Sequence, residues 1–374
     1  SQNDILNGTD DSLMKQNWLD ALADKPKQGA NVEVTIDPAL QQAAYDQLVG
    51  PGYEGSAVAI QPSTGKILAM ASNPGYNPND LMGDSAEDTW ANLQEQEGQP
   101  LVNHAGAETL PPGSIFKIIT TAAGLNNGFD PSSTLTGSNV ITLPDTVTEL
   151  TNYANQKCNG QDAVTLQTAF ALSCNTAFVE MSEQIGADEL RKYAKAFGVG
   201  ENYDLGVSTS AGTLGDLPDG AATAQSAIGQ RDVTMTALQA AVMAGTVANK
   251  GTRMQPYLVN RITDAQMKDV RTTKPKKADQ AVNEETAATL TDLMYASERS
   301  SAGYDGNGFA SKTGTAEHGE GLAPHVWYVA FDPERDIAVG VVVKNGGNLG
   351  ESATGGKVSG PIGRAILRLS LIHI

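Results

Sequence analysis

Apolar residues alternate in some stretches of this chain and recur every three or four positions in others, and the two periods divide it into strands and helices. Residues 31–36 alternate as a strand, and Asp37-Pro38 then supplies an N-cap and a first-turn proline for a helix through Leu48. Two apolar runs, 57–60 and 67–71, flank the turn signature Pro62-Ser63-Thr64-Gly65 and predict a strand pair. From Asn73-Pro74-Gly75 to Gly98 the pattern dissolves into an acidic, loop-rich stretch expected on the surface. Pro111-Pro112-Gly113 ends an extended approach, and Ile115, Phe116, Ile118, Ile119, Ala122 and Leu125 predict a helix starting at Ser114.

A threonine-rich region to Asn155 suits short strands or extended loops. A helical series begins at Val164-Thr165-Leu166-Gln167, and Ser173-Cys174-Asn175 falls where it turns into the next helix. Further helical patterns cover 187–197 and 236–248, the latter opening with Thr236 and Gln239 at capping-box spacing. After a charged loop at 274–277 comes an amphipathic helix over 283–299. Residues 309–315, 327–331 and 337–343 read as consecutive strands, and 359–368 as a closing helix. Late strands pairing with early ones around a mostly helical middle predict a mixed α/β (α+β) fold, its sheet flanked by helices. No internal repeat is visible.

Residues 1–29 are polar, with a short helical pattern over 13–22, and end in Lys25-Pro26-Lys27-Gln28-Gly29. They read as the remnant of a preceding domain plus a linker, ahead of one large domain over 30–368. The last six residues, 369–374, look foreign, like translated sequencing-adapter DNA, and are set aside from the fold. The chain opens without a signal-like segment, so an export signal or anchor is expected to lie outside this sequence.

At 374 residues with 40% hydrophobic content, the chain is long and apolar enough for a substantial core. A formal charge of −18 argues against nucleic acid or an anionic membrane as a partner, because phosphate binding needs clustered lysine and arginine. No apolar stretch approaches the roughly 20 residues that span a bilayer. Cys158 and Cys174 read equally as two buried thiols or, outside the cytoplasm, as a disulfide. In the chain-entropy account such a loop stabilises by about 3 kcal/mol.

Three short motifs then carry the chemistry: Ser114-Ile115-Phe116-Lys117, Ser173-Cys174-Asn175 and Lys312-Thr313-Gly314-Thr315. Each is common alone. Ser12 to Lys15 and Ser63 to Lys66 repeat the first spacing, and Ser1 to Asn3 the second, yet none of these has a partner motif. Serine is a weak nucleophile until a base takes its proton, and no histidine here has a Ser-His-Asp setting. A neutral lysine can serve, and burial or a neighbouring cation keeps it neutral. Ser114 and Lys117, three apart on one helical face, fit that need, with Lys312 as the neighbouring cation. Ser173 is then placed to relay a proton, and Asn175 to hold a substrate amide and orient Lys117. Gly314 lets a substrate lie against a strand edge, and Lys312, Thr313 and Thr315 can bind a carboxylate. Backbone N–H groups of Ser114 and Thr315 complete an oxyanion hole. His318 and His325 flank a glycine-rich loop without metal-ligand spacing, read as surface residues, and imply no metal and no cofactor.

The trio in this order is that of penicillin-binding proteins and serine β-lactamases. The resemblance spans about 31–368, through Asn31-Val32-Glu33-Val34-Thr35-Ile36-Asp37, Pro62 to Ala69, Leu110-Pro111-Pro112-Gly113, Ile228-Gly229-Gln230 with Thr236 to Gln239, and Ala316-Glu317 after the third motif. The chain is identified as resembling a class B penicillin-binding protein transpeptidase. Pro324-His325-Val326-Trp327-Tyr328 and Ser352-Ala353-Thr354-Gly355-Gly356 are similar to an actinobacterial branch.

The resemblance implies a transpeptidase-like fold: a central antiparallel sheet flanked by helices, plus a mostly helical subdomain. It implies a D-Ala-D-Ala transpeptidase in which Ser114 attacks the penultimate D-alanine carbonyl, releases terminal D-alanine and passes the acyl group to a neighbouring stem-peptide amine. Implied partners are peptidoglycan stem peptides, β-lactam antibiotics and a glycosyltransferase of the cell-wall machinery, at the outer face of the plasma membrane through a missing N-terminal anchor. Relatives usually carry arginine where this chain has His104. Two rivals share the resemblance. A β-lactamase is typically shorter, without an opening like 31–110. A non-catalytic sensor or division scaffold usually lacks an asparagine such as Asn175.

Overall fold

A computed structural model describes residues 2–7, 9–13, 29–319 and 321–369. Most of the helical pattern over 13–22, the decoy Lys15 and the tail beyond Leu369 lie outside the described residues. The elements that build the site and its support, labelled in chain order, begin with α1 (Pro38–Val49), β1 (Gly55–Ile60) and β2 (Ile67–Asn73). The middle contributes α2 (Lys117–Leu125), α3 (Leu166–Leu172), α4 (Asn175–Ala196), α5 (Ala237–Ala248) and α6 (Glu284–Ser300). The chain closes with β3 (Ala310–Ala316), β4 (His325–Asp332), β5 (Ile337–Val343) and α7 (Ser359–Leu369).

The five strands form one sheet in the order β3-β4-β5-β1-β2, with every neighbour antiparallel. The early strands thus close the edge opened by the late ones. β4 and β5 are buried along their whole length, because helices cover both faces. Trp327, Val329 and Phe331 enter the core with α5, whereas Val326, Tyr328 and Ala330 pack with Leu40, Ala44, Ile362 and Ile366 of α1 and α7. The first core continues without a break into Phe116, Ile118, Ile119, Phe170 and Phe178 of the helical side.

Local codes hold where they are strong. Asp37 accepts from the N–H groups of Ala39 and Leu40 at 2.8 and 3.0 Å, and Thr236 with Gln239 forms the full capping box. Three expectations change and a fourth holds. The strand at Asn31–Val34 pairs with Val259–Thr263 in a separate three-stranded sheet. The acidic stretch after Gly75 contains a helix, Ala86–Glu95, none of whose residues is buried, so no apolar stripe marked it. Residues Ala163–Thr165 are a strand paired with Thr134–Thr136, and α3 begins after it. The pattern at 187–197 holds as the segment of α4 that follows a kink at the non-helical Gly186 (φ 78°, ψ 168°).

Under the sheet edge sits a buried ion cluster. Glu298 of α6 accepts from Arg364 Nε at 2.7 Å, from Tyr328 Oη at 3.0 Å and from Ser311 Oγ. Breaking one partner of such a pair typically costs about 3–5 kcal/mol. The cluster fixes β3 from behind at the residue next to Lys312.

Candidate active site

The first motif folds differently from its expectation. Gly113–Phe116 is a turn of 3-10 helix, and α2 starts at Lys117 rather than at Ser114. The turn requires Gly113 at φ +53°, and its N–H donates to the Gly229 carbonyl at 2.9 Å. From the sheet, the buried Trp327 donates Nε1–H to the Pro111 carbonyl at 2.8 Å. A 3-10 turn still eclipses positions three apart, so Ser114 and Lys117 share a face. Among the described residues no hydrogen bond joins their side chains.

Lys117 is fully buried, and its Nζ lies 2.7 Å from both the Ser173 carbonyl and Asn175 Oδ1, with Ser173 Oγ at 3.3 Å. Burial, and then the neighbouring Lys312, hold its pKa well below the ordinary lysine range. A neutral amine has two N–H groups for the two short bonds, which leaves a lone pair free for a hydroxyl proton. Lys312 is buried as well, and burial pulls its pKa down to about 7. Its Nζ donates to Ser173 Oγ at 2.9 Å and to the carbonyl of the next residue, Thr313, at 3.0 Å.

Ser173 therefore bridges the two lysines. It caps α3 in the left-handed region (φ 60°, ψ 38°), a conformation costly for a residue with a Cβ. Behind it, Cys158 and Cys174 are joined in a disulfide, which resolves the two readings of that pair. Asn175 has one foot on each side: Oδ1 on Lys117, and Nδ2–H donated to the Thr151 carbonyl at 3.1 Å.

On the third motif, Thr313 and Thr315 face the cleft that Ser114 opens onto. Lys312 is buried and bonded to Ser173 Oγ, while Thr313 and Thr315 line the cleft. Gly314 also permits a close approach inside the protein. A Cβ there would come within 2.8 Å of the Pro112 carbonyl and 3.1 Å of Ile115, so the glycine lets β3 close on the nucleophile turn.

The cleft has walls that no motif announced. Leu150, Tyr153, Leu172, Ile228, Gln230, Glu317 and Thr354 line it beside the motif residues. Gln230, Glu317 and Thr354 sit inside stretches that carried the resemblance, which marked their neighbourhood without a role. Nothing local pointed to Tyr153.

The histidines also differ from expectation. His325 is buried and stacks on His318 with ring centroids 3.9 Å apart. Asn345 N–H donates to its Nδ1 at 3.2 Å, and burial, His318 and Lys344 push its pKa down to about 4. His104 is buried between Glu108 Oε2 and the Gln99 carbonyl, each at 3.0 Å. Glu108 also binds Lys344 Nζ at 2.8 Å, and its pKa falls to about 2. Among the described residues no three His, Cys, Asp or Glu converge as a metal-ligand set.

The family model of the penicillin binding protein transpeptidase domain matches residues 55–368. The peptidoglycan D,D-transpeptidase PbpA of Mycolicibacterium smegmatis is 44% identical over 385 residues, covering 98% of this chain and 78% of that protein. PbpA of Mycobacterium tuberculosis is 40% identical over 386 residues, covering 99% and 78%. The penicillin G acyl-enzyme complex of penicillin-binding protein A from M. tuberculosis superposes with a TM-score of 0.94 at 40% identity, covering 99% of this chain and 87% of that one.

Proposed function

Because this chain belongs to the penicillin-binding protein transpeptidase family, we propose that it cross-links peptidoglycan through an acyl-enzyme on Ser114. The observation that carries the assignment is the pair of buried lysines joined through Ser173, with Ser114 at the cleft surface above them. The donor is a stem peptide ending in D-Ala-D-Ala, and its terminal carboxylate rests on the Thr313 and Thr315 hydroxyls. Lys117 takes the Ser114 proton as Oγ attacks the penultimate D-alanine carbonyl, and the oxyanion forms at the N–H groups of Ser114 and Thr315. The proton passes through Ser173 to the departing amine, so D-alanine leaves and an ester remains. A second stem peptide's amine then attacks the ester, gives its proton back along the same path, and restores Ser114 with a new amide. β-Lactams acylate the same serine.

The enzyme acts on the cell wall, outside the cytoplasm. No helix among the described residues is long and apolar enough to cross a membrane. An anchor N-terminal to this sequence, and a glycosyltransferase that supplies the glycan strands, belong to the proposal. So does the division into 1–29, 30–368 and 369–374. Packing of α1 against the sheet supports starting the catalytic domain before residue 55. Ile5 and Leu13 pack with Ala30 and Ile262, which supports reading 1–29 as part of a small adjoining module.

Intact-protein mass spectrometry after benzylpenicillin tests the reading. One penicilloyl adduct is expected, lost in Ser114→Ala and retained in Ser63→Ala, since Ser63 sits in the β1–β2 hairpin turn bonded to Asp336. The adduct should persist for minutes, because the cleft must admit an amine while keeping water unproductive. An adduct surviving in Ser114→Ala would overturn the nucleophile. Rapid catalytic nitrocefin hydrolysis would make the protein a β-lactamase.

A further inference from the structure

The reaction has no part for Glu298, yet this carboxylate of α6 is fully buried and four donors converge on it. Its Oε1 accepts from Arg364 Nε at 2.7 Å and from Asn307 Nδ2 at 3.0 Å; its Oε2 accepts from Tyr328 Oη at 3.0 Å and from Ser311 Oγ. Arg364 is buried too, with its guanidinium 5.3 Å from the centre of the Tyr328 ring. A buried ion pair is weak grounds for stability, because apolar residues of similar volume often serve as well. What distinguishes this pair is where its connections lead.

One arm is short. Ser311 immediately precedes Lys312, whose Nζ donates to Ser173 Oγ at 2.9 Å. The other arm runs through Arg364, which donates from Nη1 to the Ala302 carbonyl at 3.0 Å and from Nη2 to Ser301 Oγ at 3.1 Å. Against that turn lies Gly356, where a Cβ would come 2.8 Å from Ser301 Oγ and 3.0 Å from the Ala302 nitrogen. Gly355 lies on β3 itself: a Cβ there would meet the Trp327 carbonyl and stand 2.8 Å from the Gly314 carbonyl. Thr354, the residue before it, lines the cleft with Thr313 and Thr315. A single carboxylate thus grips the third motif just before Lys312 and, through the arginine, backs the segment packed on Gly314. β3 is an edge strand paired with β4 alone, so the backbone ladder holds it from one side only.

Resting on the acyl-transfer reading above, we propose that Glu298 is a positioning residue for acylation: through Ser311 it sets where Lys312 stands against Ser173, and through Arg364 it sets where Thr354 stands in the cleft. It touches neither substrate nor nucleophile and works only through what it holds. The leverage comes from the geometry that acylation demands. The Lys312 amine, the Thr313 and Thr315 hydroxyls and the Thr315 N–H all ride on β3, so a shift of that strand displaces them together. A misplacement of about 1 Å costs up to about a hundredfold in rate.

Removing Glu298 itself risks the fold, so the test cuts the arms and leaves the ion pair intact. Ser311→Ala cuts the first and Ser301→Ala the second, while Ile366→Val removes one methyl group from the core behind the sheet as a control for lost stability. Benzylpenicillin acylation rates across pH are read beside melting temperatures. Ser311→Ala should acylate about tenfold more slowly and Ser301→Ala about threefold. In Ser311→Ala the alkaline limb of the profile should also move to higher pH, because a looser strand admits water to the Lys312 amine. Ile366→Val should lose melting temperature and keep its rate within about twofold of the unmutated protein. Either serine variant acylating at the unmutated rate, an alkaline limb unmoved in Ser311→Ala, or a control that slows as far as they do overturns the proposal. Without a Ser114 adduct in the unmutated protein the acyl-transfer reading fails and the positioning role fails with it. With the adduct present and the serine variants at full rate, the positioning role alone is wrong.

Discussion

Replacing Lys312 by methionine probes the electrostatics of the site most directly. Methionine keeps the volume and removes the charge. Lys117 and Lys312 both lie within hydrogen-bond distance of Ser173 Oγ, at 3.3 and 2.9 Å, so their nitrogens are no more than about 6 Å apart. At an effective dielectric constant of about 20, two unit charges at that distance repel by about 3 kcal/mol, or about two pKa units. Acylation needs neutral Lys117 and, with Lys312 at about 7, is expected to follow a bell in pH. The acid limb reports Lys117 losing its proton, and the alkaline limb Lys312 losing its charge. In Lys312→Met the charge that favours neutral Lys117 is gone. The acid limb should therefore move to higher pH by up to about two units, and the alkaline limb should vanish. Stopped-flow acylation by nitrocefin from pH 5 to about 10 measures both limbs. An acid limb that stays or moves to lower pH, or an alkaline limb that survives the substitution, would refute the assignment.

Three further outcomes follow from the same geometry. Trp327→Phe removes the N–H that holds the Pro111 carbonyl, and should lower stability by about 1–3 kcal/mol and slow acylation; chemical denaturation and the penicillin trapping rate read the two effects. Thiol counting on unreduced, denatured protein should find no free thiol, and Cys158→Ala/Cys174→Ala should be destabilised by about 3 kcal/mol; two titratable thiols would contradict the bond. His325 is held neutral in the fold at a pKa of about 4, below its ordinary value of about 6.5. The unfolded chain binds the extra proton between those values, so its share of stability is present above about pH 6.5 and is lost as pH falls to about 4. Melting temperatures from pH 4 to 7 should show a shallower slope in His325→Phe, and an unchanged slope would refute it.

Much of this protein could be read from short stretches because the relevant interactions are short-ranged. Asp37-Pro38 and Thr236 with Gln239 cap their helices through bonds spanning two or three residues. The turn at residues 62–65 lies between two strands that pair with each other. The three motifs marked the chemistry because nucleophile, base and relay must each be a particular residue type, wherever the chain later puts them. Helix Ala86–Glu95 escaped for the converse reason: with no buried face, its composition answers to solvent alone.

What the sequence determined by itself, then, was the set of reacting groups, the five strands of the central sheet and the helices that cover it, and the placing of early and late strands around a helical middle. Tertiary structure decided how those groups differ from one another. Lys117 reaches Ser173 across 56 positions and Lys312 reaches it across 139, and only that meeting buries both amines and makes one depress the other. Gly314 faces the nucleophile turn because Pro112 folds against it, and Tyr153 lines the cleft because residues 174–176 hold its loop there. A pKa, a buried face and the lining of a cleft depend on what packs nearby, and proximity between distant segments is set by the whole core.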